Sequence, residues 1–286
     1  MSFSKDVKKE ILDNGFTSAE KALAFLCGLV YSSVEYEVRD NKICDFFIST
    51  DLDFLIDYLK PITKELFNNE NLSMEDYFKI GQTKYYKINF PDDLAENILL
   101  KTKAIKYDGK TIDVNTCVTD EILNSEDGLK GFMSGTYIGC GTSSIKLAEN
   151  GRTTTGYHIE LGNKNYELLH EISIVLAQFD ILAKLTKRKN LYVLYVKDAE
   201  EVSNVLALMG ASNAVLKLQN EIVTRQVRNK VNRQTNCYVS NYSKTLNASF
   251  NQLQAIRVLD ENIGLDNLPE DIQEVALLRL ANTEES

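Results

Sequence analysis

Residues 17–32 place Ala19, Ala22, Leu23, Leu26, Leu29 and Val30 at three- and four-residue spacing, which predicts a helix. Two strand-like runs follow, VEYEVR from Val34 and KICDFFIST from Lys42. Asp51 stands as a helix N-cap before the amphipathic run LDFLIDYLKPITKELF. DYFKI and KYYKINF form two more strand-like runs around Gly81-Gln82, and Asp92 opens the short helix DDLAENILL. The order is α-β-β-α-β-β-α. Residues 126–209 read the same way. A helix runs from Glu126 to Gly139, then come SSIKLA and TTGYHIEL as strands, and Asn163 starts the helix KNYELLHEISIVLAQF. AKLTKRK and NLYVLYV meet at Lys189-Asn190, and Asp198 opens AEEVSNVLALMG. Gly28 and Gly135 lie 107 residues apart, Asp51 and Asn163 112, and Asp92 and Asp198 106. Three landmarks at nearly one offset mark an internal duplication.

The first helix of copy one carries Ala24, Gly28 and Ser32 four apart, and that of copy two Gly131, Gly135 and Gly139. A glycine inside a helix costs about 1 kcal/mol relative to alanine. Three in succession call for a compensating gain, and close approach of a partner helix supplies it. The expected fold is α+β, two αββαββα copies joined along this seam into a pseudo-two-fold body. Downstream, residues 243–260 predict a helix with Leu246, Phe250, Leu253 and Ile256 on its apolar face. Gly264 precedes a turn, and Leu268-Pro269-Glu270 begins a second helix with Pro at its first position. The chain divides into repeat one (1–105), a linker (106–125), repeat two (126–215), a basic linker (216–240) and a helical C-terminal module (241–286).

Charge sharpens this division. The 286 residues carry a formal charge of -9, yet residues 183–260 hold 12 Lys and Arg against 5 Asp and Glu. Local charge decides whether a surface meets a polyanion. The five cysteines are scattered and never form C-x-x-C, which fits a reduced cytosolic protein rather than a disulfide scaffold or zinc site. His158 and His170 have no ligand at metal spacing, so both read as structural, with no metal and no cofactor expected. No Walker loop or dinucleotide fingerprint is present. No apolar run reaches the ~18 residues a bilayer span needs, and the N-terminus MSFSKDVKKEIL lacks a signal-peptide core.

The duplicated unit and its small-residue helix pair resemble the LAGLIDADG homing-endonuclease fold, with motif helices reading LCGLVYSSV (Leu26 to Val34) and MSGTYIGCG (Met133 to Gly141). In such nucleases an acid at the eighth motif position holds divalent metal over the scissile phosphates. Here those degenerate motif positions are Ser33 and Cys140, and the sixth positions are Tyr31 and Ile138. A hydroxyl and a thiol do not replace two carboxylates. The segments MSFSKDVKKEI, GFMSGTYIGCGT, VRNKVNRQTNCYVSNYSKTLNAS and IGLDNLPEDIQEVALLRLAN further resemble the WhiA family of bacterial DNA-binding regulators, over almost the whole chain. That resemblance implies a degenerate LAGLIDADG domain followed by a helix-turn-helix. It implies double-stranded DNA and other transcription or division proteins as partners, and a cytoplasmic, nucleoid-associated location without a membrane. It links the chain to transcription, cell division, chromosome segregation or sporulation. The family continues past the region matching Asn282-Thr283 into a recognition helix, so the helix-turn-helix is expected to be incomplete here.

The first candidates for DNA contact are Arg225, Arg228, Lys230 and Arg233, interleaved with Gln226, Asn229, Asn232, Gln234 and Asn236. Cations neutralise phosphates, and amides can reach backbone or base edges. Lys184, Lys187, Arg188 and Lys189 at a strand turn of copy two are a second set. Lys244, with Asn241 and Thr245, would sit at a helix start and meet phosphate through the helix dipole. Copy one suits DNA less, because Glu35 and Glu37 share a strand face and would repel phosphate. Two other readings remain: a protein-interaction or ligand-sensing scaffold working through the acidic N-terminal half, and an active endonuclease, which the substituted motif positions disfavour.

Overall fold

Serine caps start the first two helices. In the computed structural model, which describes residues 2–40, 42–107, 111–116, 118, 120–145 and 156–282, Ser2 Oγ accepts from Lys5 N at the head of α1 (Phe3–Asp13). Ser18 Oγ accepts from Lys21 N at the head of α2 (Ala19–Ser33). Copy one continues through β1 (Val34–Arg39), β2 (Lys42–Thr50), α3 (Leu55–Phe67), β3 (Ser73–Ile80), β4 (Thr83–Asn89) and α4 (Asp92–Lys101). A hairpin, β5 (Ile105–Tyr107) and β6 (Ile112–Val114), and a short α5 (Asp120–Leu123) occupy the expected linker. Copy two follows as α6 (Glu126–Cys140), β7 (Gly141–Ile145), β8 (Tyr157–Asn163), α7 (Tyr166–Ala177), β9 (Lys184–Arg188), β10 (Leu191–Val196) and α8 (Ala199–Leu208). The sheets run β1-β2-β4-β3 and β7-β8-β10-β9, all antiparallel and in one order, as duplication requires. On β2, Ile43, Phe46 and Ile48 are buried against the helices, as are Ile159 and Leu161 on β8, so alternate residues look away from them.

The seam is as tight as the glycines suggest. A Cβ on Gly28 would stand 2.1 Å from the Phe132 carbonyl oxygen, and one on Gly135 2.0 Å from that of Phe25. Gly131 lies against Lys21 and Ala24, and Gly139 against Ser32 and Ser33. Backbone therefore meets backbone where α2 and α6 cross, while Phe25, Leu26, Leu29, Phe132, Met133 and Tyr137 fill the surrounding core.

The remaining helices are α9 (Ser212–Asn262) and, after a turn at Leu265–Asn267, α10 (Glu270–Ala281). The chain divides into two units, Met1–Glu221 and Ile222–Ser286. In the first unit Glu10 accepts the backbone N–H groups of Asn213 and Ala214, satisfying the first turn of α9 from another helix. In the second unit Ser249, Leu265 and Ala276 are buried, and α9 and α10 enclose an apolar groove of about 640 Å³. No helix among the described residues is long and apolar enough to cross a membrane.

Several expectations need correction. The basic segment 216–240, read as a linker, is helical throughout, because no Gly or Pro interrupts the chain from Ala211 to Ile263. Lys244, Asn241 and Thr245 consequently lie inside α9, not at a helix start, and have no unsatisfied helix N-terminus beside them. Helix α3 begins at Leu55, and Asp51 pairs with Lys5 at 3.1 Å instead of capping. Asn165, not Asn163, caps α7. Pro269 is the N-cap of α10 rather than its first residue. The N-terminal segment, given no element from sequence, is the amphipathic helix α1, with Val7, Ile11 and Leu12 buried. Cys117 and the strand-run ends Lys146–Ala148 and Thr154–Thr155 lie outside the described residues.

Candidate nucleic-acid interface

The feet of α2 and α6 carry Ser33 and Cys140, the two positions that the sequence resemblance singles out. Ser33 Oγ turns back to donate to the Leu29 carbonyl at 2.9 Å. Burial pushes the Cys140 thiol up to about 12, although the Lys8 ammonium and the Asn163 side chain pull the other way. Lys8 arrives from α1, is 8% exposed, and donates to the Ile138 carbonyl at 3.1 Å. Burial lowers its pKa, while Asp51 and Cys140 oppose that shift. Asn163 donates to the Ser32 carbonyl at 2.8 Å. The Cys140 thiol and the Lys8 side chain thus come together at the foot of α6, and Ser33 ends α2, at the positions where two carboxylates would clasp cations in a nuclease. These residues do not fit a divalent ion, whose preferred ligands are oxygen anions. Among the described residues no group of three His, Cys, Asp or Glu is placed to hold a metal. Sequence reasoning singled out Ser33 and Cys140 but missed Lys8 and Asn163, whose partners lie 130 and 131 residues away.

The basic stretch of α9 is better arranged than its composition suggested. At 100° per residue, Arg225, Arg228, Asn229, Asn232 and Asn236 recur at i, i+3, i+4, i+7 and i+11 and line one face. Arg233 lies beside them. Lys230 falls toward the opposite side, where Val223, Val227, Val231, Tyr238 and Tyr242 form an exposed apolar stripe. Residues 231–240 are exposed throughout. Nη1 of Arg228 is shielded from solvent and has no hydrogen-bond partner among the described residues. From Arg225 to Asn236 the face extends about 17 Å, half a turn of duplex.

The copy-two hairpin separates its cations. Lys187 sits 5.4 Å over the Tyr192 ring, and Tyr192 also meets Tyr166 of α7, so Lys187 lies on the helix-covered side of the sheet. Arg188 takes the outer face, where Nη1 is 3.0 Å from Glu160 Oε2. Lys189 occupies the turn with φ of 53°. His158 Nε2 lies 2.7 Å from the same Glu160 oxygen. Burial alone would raise the Glu160 carboxyl, but the His158 hydrogen bond and the Arg188 charge outweigh it and hold it below the usual range. His170 stacks on Tyr166 with ring centroids 5.6 Å apart.

Comparison with known proteins matches residues 129–228 to the WhiA LAGLIDADG-like domain and residues 231–286 to the WhiA C-terminal HTH domain. The chain is 32% identical over 283 residues to the "Probable cell division protein WhiA" of Thermoanaerobacter pseudethanolicus, covering 98% of this chain and 86% of that one. It is 28% identical over 288 residues to the protein of the same name from Clostridium acetobutylicum, covering 100% and 89%. Among solved structures it is similar to full-length DUF199/WhiA from Thermatoga maritima, with a TM-score of 0.61, 22% identity and coverage of 100% and 89%. It is also similar to the N-terminal LAGLIDADG domain of DUF199/WhiA, with a TM-score of 0.53, 19% identity and coverage of 73% and 90%.

Proposed function

Because the chain belongs to the WhiA family, we propose that it is a non-catalytic DNA-binding regulator of transcription that acts in cell division. Chromosome segregation and sporulation are further outlets of the same activity. The duplicated body is a scaffold, and duplex DNA is met by the polar face of α9 together with the C-terminal helices. The observation that carries this reading is the alignment of Arg225, Arg228, Asn229, Asn232 and Asn236 on one helical face, which pairs phosphate-neutralising cations with amides suited to base edges. Arg233 flanks that face, Lys230 and Lys244 add charge along the helix, and Arg188 and Lys189 give secondary contacts from copy two. Lys187, held on the helix side, contributes least. The protein works in the cytoplasm, at the nucleoid.

Fluorescence anisotropy with labelled duplex across a salt series tests this. Binding weakens with salt, log K falling by about 0.9 per phosphate neutralised. The Arg225→Ala/Arg228→Ala/Arg233→Ala variant is expected to bind at least about tenfold more weakly, with a correspondingly shallower slope. Unchanged affinity and slope in a variant that still melts cooperatively would overturn the assignment to α9.

A further inference from the structure

The outer faces of the two sheets, equivalent by duplication, carry opposite chemistry. In copy one Phe47 meets Tyr77 at 5.9 Å, Tyr77 meets Phe78 at 4.8 Å, and Phe78 stacks on Tyr85 at 4.7 Å. Tyr77 and Phe78 are 47% and 41% exposed, and Ile80 beside them 63%. Glu35 is the cross-strand neighbour of Phe47, and Glu75 that of Lys87. Glu37 and Asp45 gather around Arg39. The face is an aromatic ridge on which four carboxylates (Glu35, Glu37, Asp45 and Glu75) outnumber three cations (Arg39, Lys42 and Lys87). In copy two Tyr195 is the neighbour of both Glu160 and Lys184. Arg188 lies 5.7 Å and Lys197 4.8 Å from its ring centroid. There, three cations and the His158 imidazole surround one carboxylate.

We infer that the aromatic, acidic sheet face of copy one docks on the basic sheet face of copy two of a second molecule of this chain, head to tail. Three observations favour this occupant. The faces are complementary in charge, and like charges do not need to meet when unlike sheets pair. The ridge offers open rings to cations, as Lys87 already shows by sitting 4.2 Å over Phe47. The exposed ridge is also the kind of apolar patch that marks an interaction site. Both faces belong to the unit Met1–Glu221, so the association does not use the main DNA contact assigned to α9, although it shares Arg188 with the secondary contact of copy two. A head-to-tail contact of unlike faces adds molecules one after another unless the rotation closes a ring.

Sedimentation equilibrium on the full chain tests the inference with two charge-reversed variants, Lys184→Glu/Arg188→Glu/Lys197→Glu and Glu35→Lys/Glu37→Lys/Glu75→Lys. Wild type is expected to gain mass with concentration and lose it with salt. Each variant alone carries two faces of one sign and is expected to associate at least about tenfold more weakly. Their equimolar mixture pairs unlike faces again and is expected to recover the mass, with circular dichroism melts showing that both variants fold. A wild type that stays monomeric at all concentrations, variants that associate as it does, or a mixture that recovers nothing would overturn it. So would a cation-reversed variant that loses DNA affinity while its mass profile is unchanged, which would assign that sheet to nucleic acid.

Discussion

Lys8 leaves α1 with its ammonium 3.1 Å from the Ile138 carbonyl, and burial there lowers its pKa from 10.5. The unfolded chain keeps this proton up to the ordinary value, whereas the native chain gives it up earlier. In between, the unfolded state binds more protons, so this residue makes stability rise with pH until about 10.5. Cys27 and Cys140 act with the opposite sign. Burial raises both thiols from 9.0 to about 12, so stability is lost as pH climbs through that interval. Because Lys8 and Cys140 act on each other, the comparison of wild type with Lys8→Met is read below about pH 9, before either thiol ionises in the folded or unfolded chain. In urea melts from neutral pH upward, wild type should gain stability relative to Lys8→Met; a constant difference would show that Lys8 is not held in low dielectric. The thiols give a simpler readout, since only the thiolate reacts. At mildly alkaline pH a disulfide reagent should label Cys44 and Cys237 in the native chain and spare Cys27 and Cys140 until denaturant is added. Early labelling of Cys140 would mean that the foot of α6 is open.

The close approach of α2 and α6 requires glycine where backbone meets backbone, above all at Gly28 and Gly135. Alanine at Gly28 or Gly135 gains roughly 1 kcal/mol of helix propensity. It also drives a methyl to 2.1 Å or 2.0 Å from a backbone oxygen that cannot move without moving its helix. Overpacking of this kind costs typically 1–3 kcal/mol, occasionally more, so the steric effect is expected to win and each variant to melt several degrees lower. Gly162→Ala, in a strand with nothing within 4 Å of its new methyl, is the control and should leave the melting temperature unchanged or slightly raised. Helix α9 shows the converse case. Its amide- and charge-rich composition reads as linker, yet the absence of any breaker between Ala211 and Ile263 was the legible sign of a continuous helix. Continuity turns scattered cations into a ruled face, because helical periodicity then fixes which residues look the same way.

For the molecule as a whole, the duplicated body is LAGLIDADG-like, and among its described residues no three His, Cys, Asp or Glu are placed to hold a metal. Supercoiled plasmid incubated with the protein and Mg²⁺ or Mn²⁺ is therefore expected to stay intact; metal-dependent nicking that tracks the purified protein would overturn the non-catalytic reading. The two-copy architecture was legible because an amphipathic pattern and a small-residue helix, repeated at nearly one offset, leave few ways to bury both copies. The identities Ser33 and Cys140 at the ends of the two seam helices can be counted off the sequence directly. What tertiary structure alone decided is which way the charges look. Period-two alternation gives every strand two faces, but packing of the helices chooses the covered one, so Lys187 and its neighbour Arg188 part to opposite sides. Lys8 reaches the foot of α6 across 130 residues of chain, a contact that no local pattern encodes because it exists only once α1 folds back on the pair of repeats.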